Sequence, residues 1–200
     1  DVCSSDLAEG VGVRRGERQM RPPAGLANPL VTKRGWMPPT DRDVLVLGVG
    51  NADHGDEGIG CGVVRRLAVQ EIPGVVTRCQ GRDETNLVEL WEGYEVVYLI
   101  DAMRAGSAPG TILRFDGHTA LIPEGFGMES AHTFHLRRAI ELSRALGSLP
   151  DQLTLFGVEV AQRAAGGGLS HPVESAADRL AQRIAAEIKR HQAQATPAED

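Results

Sequence analysis

Two acidic segments of the chain carry residue types that could do chemistry. The segment GVGNADHGDEGIG (48–60) holds Asp53, Asp56 and Glu57 among five glycines, and Asp101 directly follows the apolar run VVYLI (96–100). A carboxylate next to a buried strand is costly to desolvate unless a cation, a metal ion or backbone N–H groups compensate its charge. These acids are therefore candidates for a metal-binding or catalytic site.

The elements that must position these acids alternate between strand and helix. Continuous apolar runs such as VLVLGVG (44–50) and VVYLID (96–101) are typical of strands covered on both faces. Strands are predicted at 44–50, 75–79, 96–101, 111–115 and 153–160, and helices at 59–71, 86–91, 133–146 and 173–192. This alternation predicts a single α/β domain, with a mainly parallel central sheet of about five strands and helices on both faces. Ligands of such sheets bind beyond the carboxyl ends of the strands, where both acidic segments would lie.

Composition excludes several classes of function. The net charge of −6 argues against nucleic-acid binding, which needs a basic face. No segment approaches the roughly 18 consecutive apolar residues of a membrane span, so no membrane insertion is expected. The three cysteines, Cys3, Cys61 and Cys79, form neither a metal-ligand spacing nor an even disulfide set. We therefore expect a cytoplasmic protein with reduced thiols, in which Cys61 is a small buried apolar residue.

The ends of the chain differ from its centre. Residues 1–40 show no apolar periodicity, hold five of the eleven prolines and contain no apolar signal segment. We expect this extension to be disordered or artefactual, the domain to span 41–192, and the tail 193–200 to fray. A monomer is expected, because no exposed heptad pattern or long apolar edge is visible.

The glycine-rich loop does not match a nucleotide-binding motif. Gly48 and Gly50 fit the first two positions of G-x-G-x-x-G, but Asp53 stands at the third, and an acidic loop would repel a pyrophosphate. The G-x-x-x-x-G-K-[ST], G-x-S-x-G and H-E-x-x-H motifs are absent as well. A nucleotide site, a serine hydrolase and a zincin are therefore not supported.

The segments VLGVGNADHGDEGIG, VVYLIDA, SAPGT, SAH and LTLFGVE occur in this order over about Val44–Leu180. Together they closely resemble the nickel–iron hydrogenase maturation endopeptidases. The strongest match is G-x-G-N-x-x-x-x-D-E-G-x-G, which runs from Gly48 to Gly60. The resemblance implies a compact α/β enzyme that removes the C-terminal extension of a hydrogenase large-subunit precursor after nickel insertion. The precursor is then the expected partner.

The resemblance also implies a metal-binding triad of Glu57, Asp101 and His132. Nickel is expected to arrive with the substrate, and zinc or another divalent ion is the alternative occupant. One imidazole and two carboxylates suit nickel, zinc or iron, and three protein ligands leave positions for water or substrate groups. Three roles for the metal remain open: it marks the substrate as loaded, it polarises the scissile carbonyl, or it activates a water.

Several neighbouring residues have alternative roles. His135 competes with His132, since the two would share one face of a helix. His54 is either an extra ligand or a solvated loop residue, whereas Asp56 is interpreted as a structural acid at a helix start. After the second strand, Asp83 is the candidate for the catalytic carboxylate of the family at a shifted position, and Arg82 for binding a substrate carboxylate.

Two other functions compete with the endopeptidase. One is a non-catalytic nickel-binding chaperone that docks on the large subunit. The other is a related α/β peptidase with another substrate. A change in the mass of the precursor would distinguish the first rival from an endopeptidase.

Overall fold

The computed structural model describes five segments of the 200-residue chain and one isolated residue. These are 44–51, 53–81, 87–119, Phe126, 130–161 and 167–195, without the side chains of 130–135 and 195. The predicted N-terminal extension 1–40 lies outside these residues, as does 196–200 of the predicted tail. The elements are β1 (Val44–Val49), a 3-10 turn (Gly55–Gly58), α1 (Ile59–Ala68), β2 (Val75–Gln80), α2 (Leu87–Trp91), β3 (Val96–Met103), β4 (Ile112–Asp116), α3 (Ser130–Leu146), β5 (Gln152–Glu159) and α4 (His171–Ala195).

The five strands form one sheet in the order β2-β1-β3-β5-β4. Strands β2, β1, β3 and β5 are parallel, and β4 lies antiparallel to β5 at the edge. The predicted single α/β domain with a mainly parallel five-stranded sheet is confirmed. Because β1 and β3 are neighbours, the two acidic segments leave the sheet side by side.

Helices cover both faces of the sheet, because alternate strand residues point to opposite sides. Val44 and Val46 pack with α1 and α4 on one face, which we call the α1/α4 face. Leu45 and Leu47 pack with Trp91 of α2 and with α3 on the other, the α3 face. Each apolar side chain buried in these layers contributes roughly 1.5–3 kcal/mol. Among the described residues no helix combines the length and apolarity that crossing a membrane requires.

Some element boundaries differ from the predicted ones. Helix α1 ends at Ala68 rather than at residue 71, and Glu71 adopts the left-handed region with φ 46°. Strand β3 continues to Met103, so Asp101 lies within the strand rather than at its end. The continuation is stabilised by pairing with β5, in which Met103 is opposite Glu159. Tertiary pairing thus extends the strand past the point where its apolar run stops.

The cysteines also differ from the prediction. Cys61 and Cys79 form a disulfide, with their Cα atoms 5.1 Å apart, so the predicted absence of a disulfide is wrong. The pair is 18 residues apart in sequence, but Cys79 is opposite Gly48 in the sheet. A Cβ on Gly48 would overlap the Gly60 carbonyl, so the first turn of α1 lies directly against this point of the sheet. The parallel crossover therefore brings the two cysteines together.

Candidate active site

The loop after β1 buries Glu57 at the carboxyl edge of the sheet. Its path is set by local hydrogen bonds, in which the N–H of Asp53 donates to Asn51 Oδ1 at 3.0 Å and the N–H of His54 donates to the Asn51 carbonyl. The chain then enters the 3-10 turn, where Glu57 is only 2% exposed. A buried carboxylate at the edge of a parallel sheet is a functional-site candidate on physical grounds.

Two glycines allow this loop to lie so close to the sheet. Gly50 has φ 121°, which favours glycine, and a Cβ there would overlap the carbonyl oxygen of Glu57. A Cβ on Gly60 would overlap the carbonyl oxygens of Val49 and Ile100. The backbone around Glu57 is thus held against β1 and β3, the strand that carries Asp101.

Asp101 lies on the α3 face of the sheet near the end of β3. It is two residues after Leu99 and four after Val97, which both pack on that face, and it is opposite Gly157 of β5. Its side chain is 7% exposed, and its Oδ1 accepts a hydrogen bond from the N–H of Ala102 at 2.7 Å. The structure therefore places both predicted acids, Glu57 and Asp101, buried at the same edge of the sheet.

His132 is the third residue of α3, and its backbone position is described although its side chain is not. Helix α3 has 17 residues, which is about 25 Å, and it ends shortly before β5 begins at the amino edge of the sheet. It therefore begins near the carboxyl edge. Phe126 supports this placement, because it forms an antiparallel bridge with Met103, two residues after Asp101. The start of α3 thus lies on the same side of the sheet as Asp101.

The structure tests the other predicted residues to different extents. His54 is exposed by 46% at its side chain, and its Nδ1 lies 3.7 Å from Glu57 Oε2. The side chain of His135 lies outside the described part, as do Arg82 and Asp83 completely. Strand β2, which leads to Asp83, ends beside the loop of Glu57, since the N–H of Gly50 donates to the Gln80 carbonyl at 3.0 Å.

The donors at this edge fit a divalent cation in part. Two buried carboxylates are oxygen donors that such an ion stabilises, and an imidazole would complete a set suited to nickel or zinc. Among the described side chains, which do not include the imidazole of His132, no three His, Cys, Asp or Glu residues lie close enough to share a metal ion. The complete triad therefore stays a prediction.

Two further buried acids lie at this edge with structural contacts. Glu159, 4% exposed, ends β5 and accepts hydrogen bonds from the N–H groups of Ala105 and Gly106 at 2.9 and 3.1 Å. The sequence analysis missed it, although an acid ending an apolar strand is the same signal that indicated Asp101. Asp56 was predicted to stabilise a helix start, but its carboxylate instead accepts hydrogen bonds from Ser170 and Ala161.

The fold and this edge define an α/β protein with a buried acidic site beyond the ends of its parallel strands. A family model described as hydrogenase maturation protease matches residues 65–187, which is more than half of the chain. The chain therefore belongs to the hydrogenase maturation protease family. The match begins after Glu57, so it supports the family without bearing on that residue.

Curated relatives have similar sequences over most of the described domain. The hydrogenase expression/formation protein HoxM of Azotobacter vinelandii is 31% identical over 143 residues, covering 68% of this chain and 67% of that protein. HupD of Rhodobacter capsulatus is 29% identical over 131 residues, covering 64% of this chain and 62% of HupD. The chain thus spans about three fifths of the length of two HupD proteins, those of Rhodobacter capsulatus and Thiocapsa roseopersicina.

Solved structures share the fold. The hydrogenase maturating endopeptidase HybD of Escherichia coli superposes with a TM-score of 0.61 at 24% identity, covering 74% of this chain and 93% of HybD. At this level of identity the likeness shows the architecture alone, and it agrees with the five-stranded α/β sheet described above.

Proposed function

We propose that this protein is an endopeptidase that removes the C-terminal extension of a nickel–iron hydrogenase large-subunit precursor after nickel insertion. The observation that carries the proposal is the burial of Glu57 and Asp101 at one edge of the sheet, in a chain of the hydrogenase maturation protease family. The relatives HoxM and HupD are hydrogenase expression/formation proteins, which supports the same client. The proposal includes action as a monomer in the cytoplasm.

In this proposal the nickel ion belongs to the substrate, and the enzyme recognises the loaded precursor through its own donors. Glu57 and Asp101 supply carboxylate oxygens and His132 an imidazole nitrogen. The nickel ion of a loaded precursor places a positive charge beside these two buried carboxylates, which offsets part of the cost of burying them. Discrimination between loaded and empty precursor therefore follows from desolvation of the acids.

Hydrolysis requires a water molecule to attack the scissile carbonyl while a base accepts its proton. A divalent ion beside the peptide bond supplies electrophilic polarisation of the carbonyl. We assign the base role to Asp83, since β2 ends next to the loop of Glu57. The products are a shortened large subunit and the released C-terminal peptide.

The test is incubation of the protein with nickel-loaded and nickel-free precursor, followed by intact mass measurement. The wild type is expected to shorten only the loaded precursor. Glu57→Gln and His132→Ala are expected to abolish shortening, whereas the control Glu89→Gln changes an exposed acid on α2 and is expected to retain it.

The outcomes separate the proposal from its rivals. A stable complex with the precursor without any change in mass would indicate a chaperone. Unimpaired shortening by Glu57→Gln would show that the acid is not part of the site. Cleavage of another protein, with no effect on the precursor, would indicate a peptidase with a different substrate.

A further inference from the structure

Asp56 is a buried acid next to Glu57 whose contacts serve neither helix capping nor the metal-binding set. Its side chain is 4% exposed. Oδ1 accepts a hydrogen bond from the N–H of Ser170 at 2.6 Å, and Oδ2 accepts one from the Ser170 hydroxyl at 2.9 Å and one from the N–H of Ala161 at 3.3 Å. Three donors converge on one carboxylate, which is the arrangement that stabilises a buried negative charge.

The three donors come from the two ends of a single connection. Ala161 lies just after β5, and Ser170 comes directly before α4, whose first turn it supports by accepting a hydrogen bond from the N–H of Glu174. Asp56 therefore fastens the exit of β5 and the start of α4 to the 3-10 turn. His54, the residue before the turn, makes no side-chain capping hydrogen bond to it.

The turn is thus held from two sides. Gly50, which follows β1, approaches the Glu57 carbonyl of the turn closely, and Gly60 at the start of α1 lies against β1 and β3. The Asp56 carboxylate holds the turn against the end of β5 and the start of α4. Glu57 is the next residue along the backbone, and its depth at the edge of the sheet depends on both restraints. A shift of the turn by a fraction of an ångström would move the Glu57 carboxylate relative to Asp101.

We infer that Asp56 is a positioning residue that sets the location of the Glu57 carboxylate by clamping the 3-10 turn to Ala161 and Ser170. The inference rests on the proposed function and deepens it, because it assigns to an otherwise structural acid the alignment of a substrate-binding one. Misplacement of a reacting or binding group by about 1 Å can cost on the order of 100-fold in rate.

A purely structural role would be to hold α4 in place, and the chain offers a matched control for that. Arg66 of α1 pairs with Glu174 and with Asp178 of α4, the latter at 2.6 Å. Asp178→Asn weakens the attachment of α4 to α1 without touching the turn of Glu57. Asp56→Asn keeps the size of the side chain but turns one acceptor oxygen into an N–H donor that faces donors.

The experiment compares Asp56→Asn, Ser170→Ala, Ser170→Thr and Asp178→Asn with the wild type, using loaded precursor at a temperature where all are folded. We expect Asp56→Asn to lower kcat at least about tenfold with KM changed less than about threefold. Ser170→Ala is expected to lower kcat less, and Ser170→Thr, which keeps the hydroxyl, to restore most of it. Asp178→Asn is expected to stay within about twofold of the wild type.

Amide hydrogen exchange of the peptide 53–60 provides a second readout that needs no precursor. Exchange is expected to speed up in Asp56→Asn and Ser170→Ala but not in Asp178→Asn. If Asp56→Asn does not fold, Ser170→Ala carries the comparison alone.

Two results would overturn the inference. One is an equal loss of kcat in Asp178→Asn and in the Asp56 and Ser170 variants, and the other is unchanged exchange at 53–60 in both Asp56→Asn and Ser170→Ala. If the wild type leaves the precursor intact, the proposed function fails, while the exchange measurement still decides whether Asp56 orders the turn.

Discussion

The indole Nε1 of Trp91 donates a hydrogen bond to the hydroxyl of Ser143 at 2.9 Å, and both side chains are completely buried. The bond joins the end of α2 to α3, the helix whose first turn contains His132. A buried indole N–H needs a partner. This pair therefore helps to fix α3 on the sheet, and with it the predicted imidazole ligand.

Ser143→Ala is expected to lower the free energy of unfolding by about 1–3 kcal/mol, because it leaves the Trp91 N–H buried without its acceptor. Ser148 provides the control, since its buried hydroxyl has no hydrogen-bond partner in the described part of the chain. Ser148→Ala should be neutral or slightly stabilising. Urea unfolding followed by tryptophan fluorescence measures both, and equal losses in the two variants would contradict the prediction.

Glu159→Gln is expected to destabilise the protein by about 1.5–3 kcal/mol, because one of the two N–H groups of the β3–β4 connection would face an amide NH₂. Amide exchange of Ala105 and Gly106 should accelerate in the same variant. The exposed Asp151→Asn is the control for a change of charge alone. Unaltered exchange at Ala105 and Gly106 would show that Glu159 does not hold this connection.

Reduction of the Cys61–Cys79 disulfide is expected to lower the free energy of unfolding by about 3 kcal/mol, the chain-entropy value for partners 18 residues apart. Alkylation of the oxidised protein followed by mass measurement should modify only Cys3, and all three thiols should react after reduction. Cys61→Ser/Cys79→Ser is the matched variant. Three reactive thiols in the folded, air-oxidised protein would contradict the disulfide.

The same disulfide tests the proposed cytoplasmic location. Thiols are kept reduced in most cytosols. Trapping the thiols by alkylation during lysis of the source cells is therefore expected to label Cys61 and Cys79 if the protein acts there. A fully oxidised pair under these conditions would argue for an oxidising compartment.

Stability is expected to fall as the pH rises from about 10 to about 12. Burial, reinforced by the Glu187 carboxylate, raises the pKa of Tyr98 to about 12, whereas the unfolded chain titrates near 10. The unfolded state therefore loses its proton first, so the stabilisation is complete below pH 10 and is lost as the pH approaches 12. Tyr98 stacks on Phe156 with ring centroids 6.3 Å apart. The control variant is therefore Tyr98→Phe, which removes the hydroxyl and keeps the ring.

Urea unfolding of the wild type and of Tyr98→Phe at about pH 9 and about pH 11 checks this prediction. The wild type should lose more stability between the two values than the variant. NMR of tyrosine labelled at the ring carbon bearing the hydroxyl would report the pKa directly. Equal pH dependence in the two proteins would refute the assignment to Tyr98.

The strands and their positions along the chain could be predicted because burial on both faces imposes a local sequence signal. Runs such as Val44–Val49 are continuously apolar, and Gly-rich or Pro-containing turns separate them from helices of 3.6-residue periodicity. The same local signal located Glu57 and Asp101, since an acid next to an apolar strand is conspicuous. Their burial at one edge follows from the parallel arrangement and is confirmed.

Amino-acid sequence alone determined the fold class, the family resemblance and the two acids of the candidate site. Only tertiary structure decided the pairing of Cys61 with Cys79, the extension of β3 past Asp101 and the attachment of Asp56 to Ser170. Each of these depends on residues that are distant along the chain and meet only when parallel strands and their helices are packed. Local patterns report what is buried, whereas the partner of a buried polar group is set by the fold.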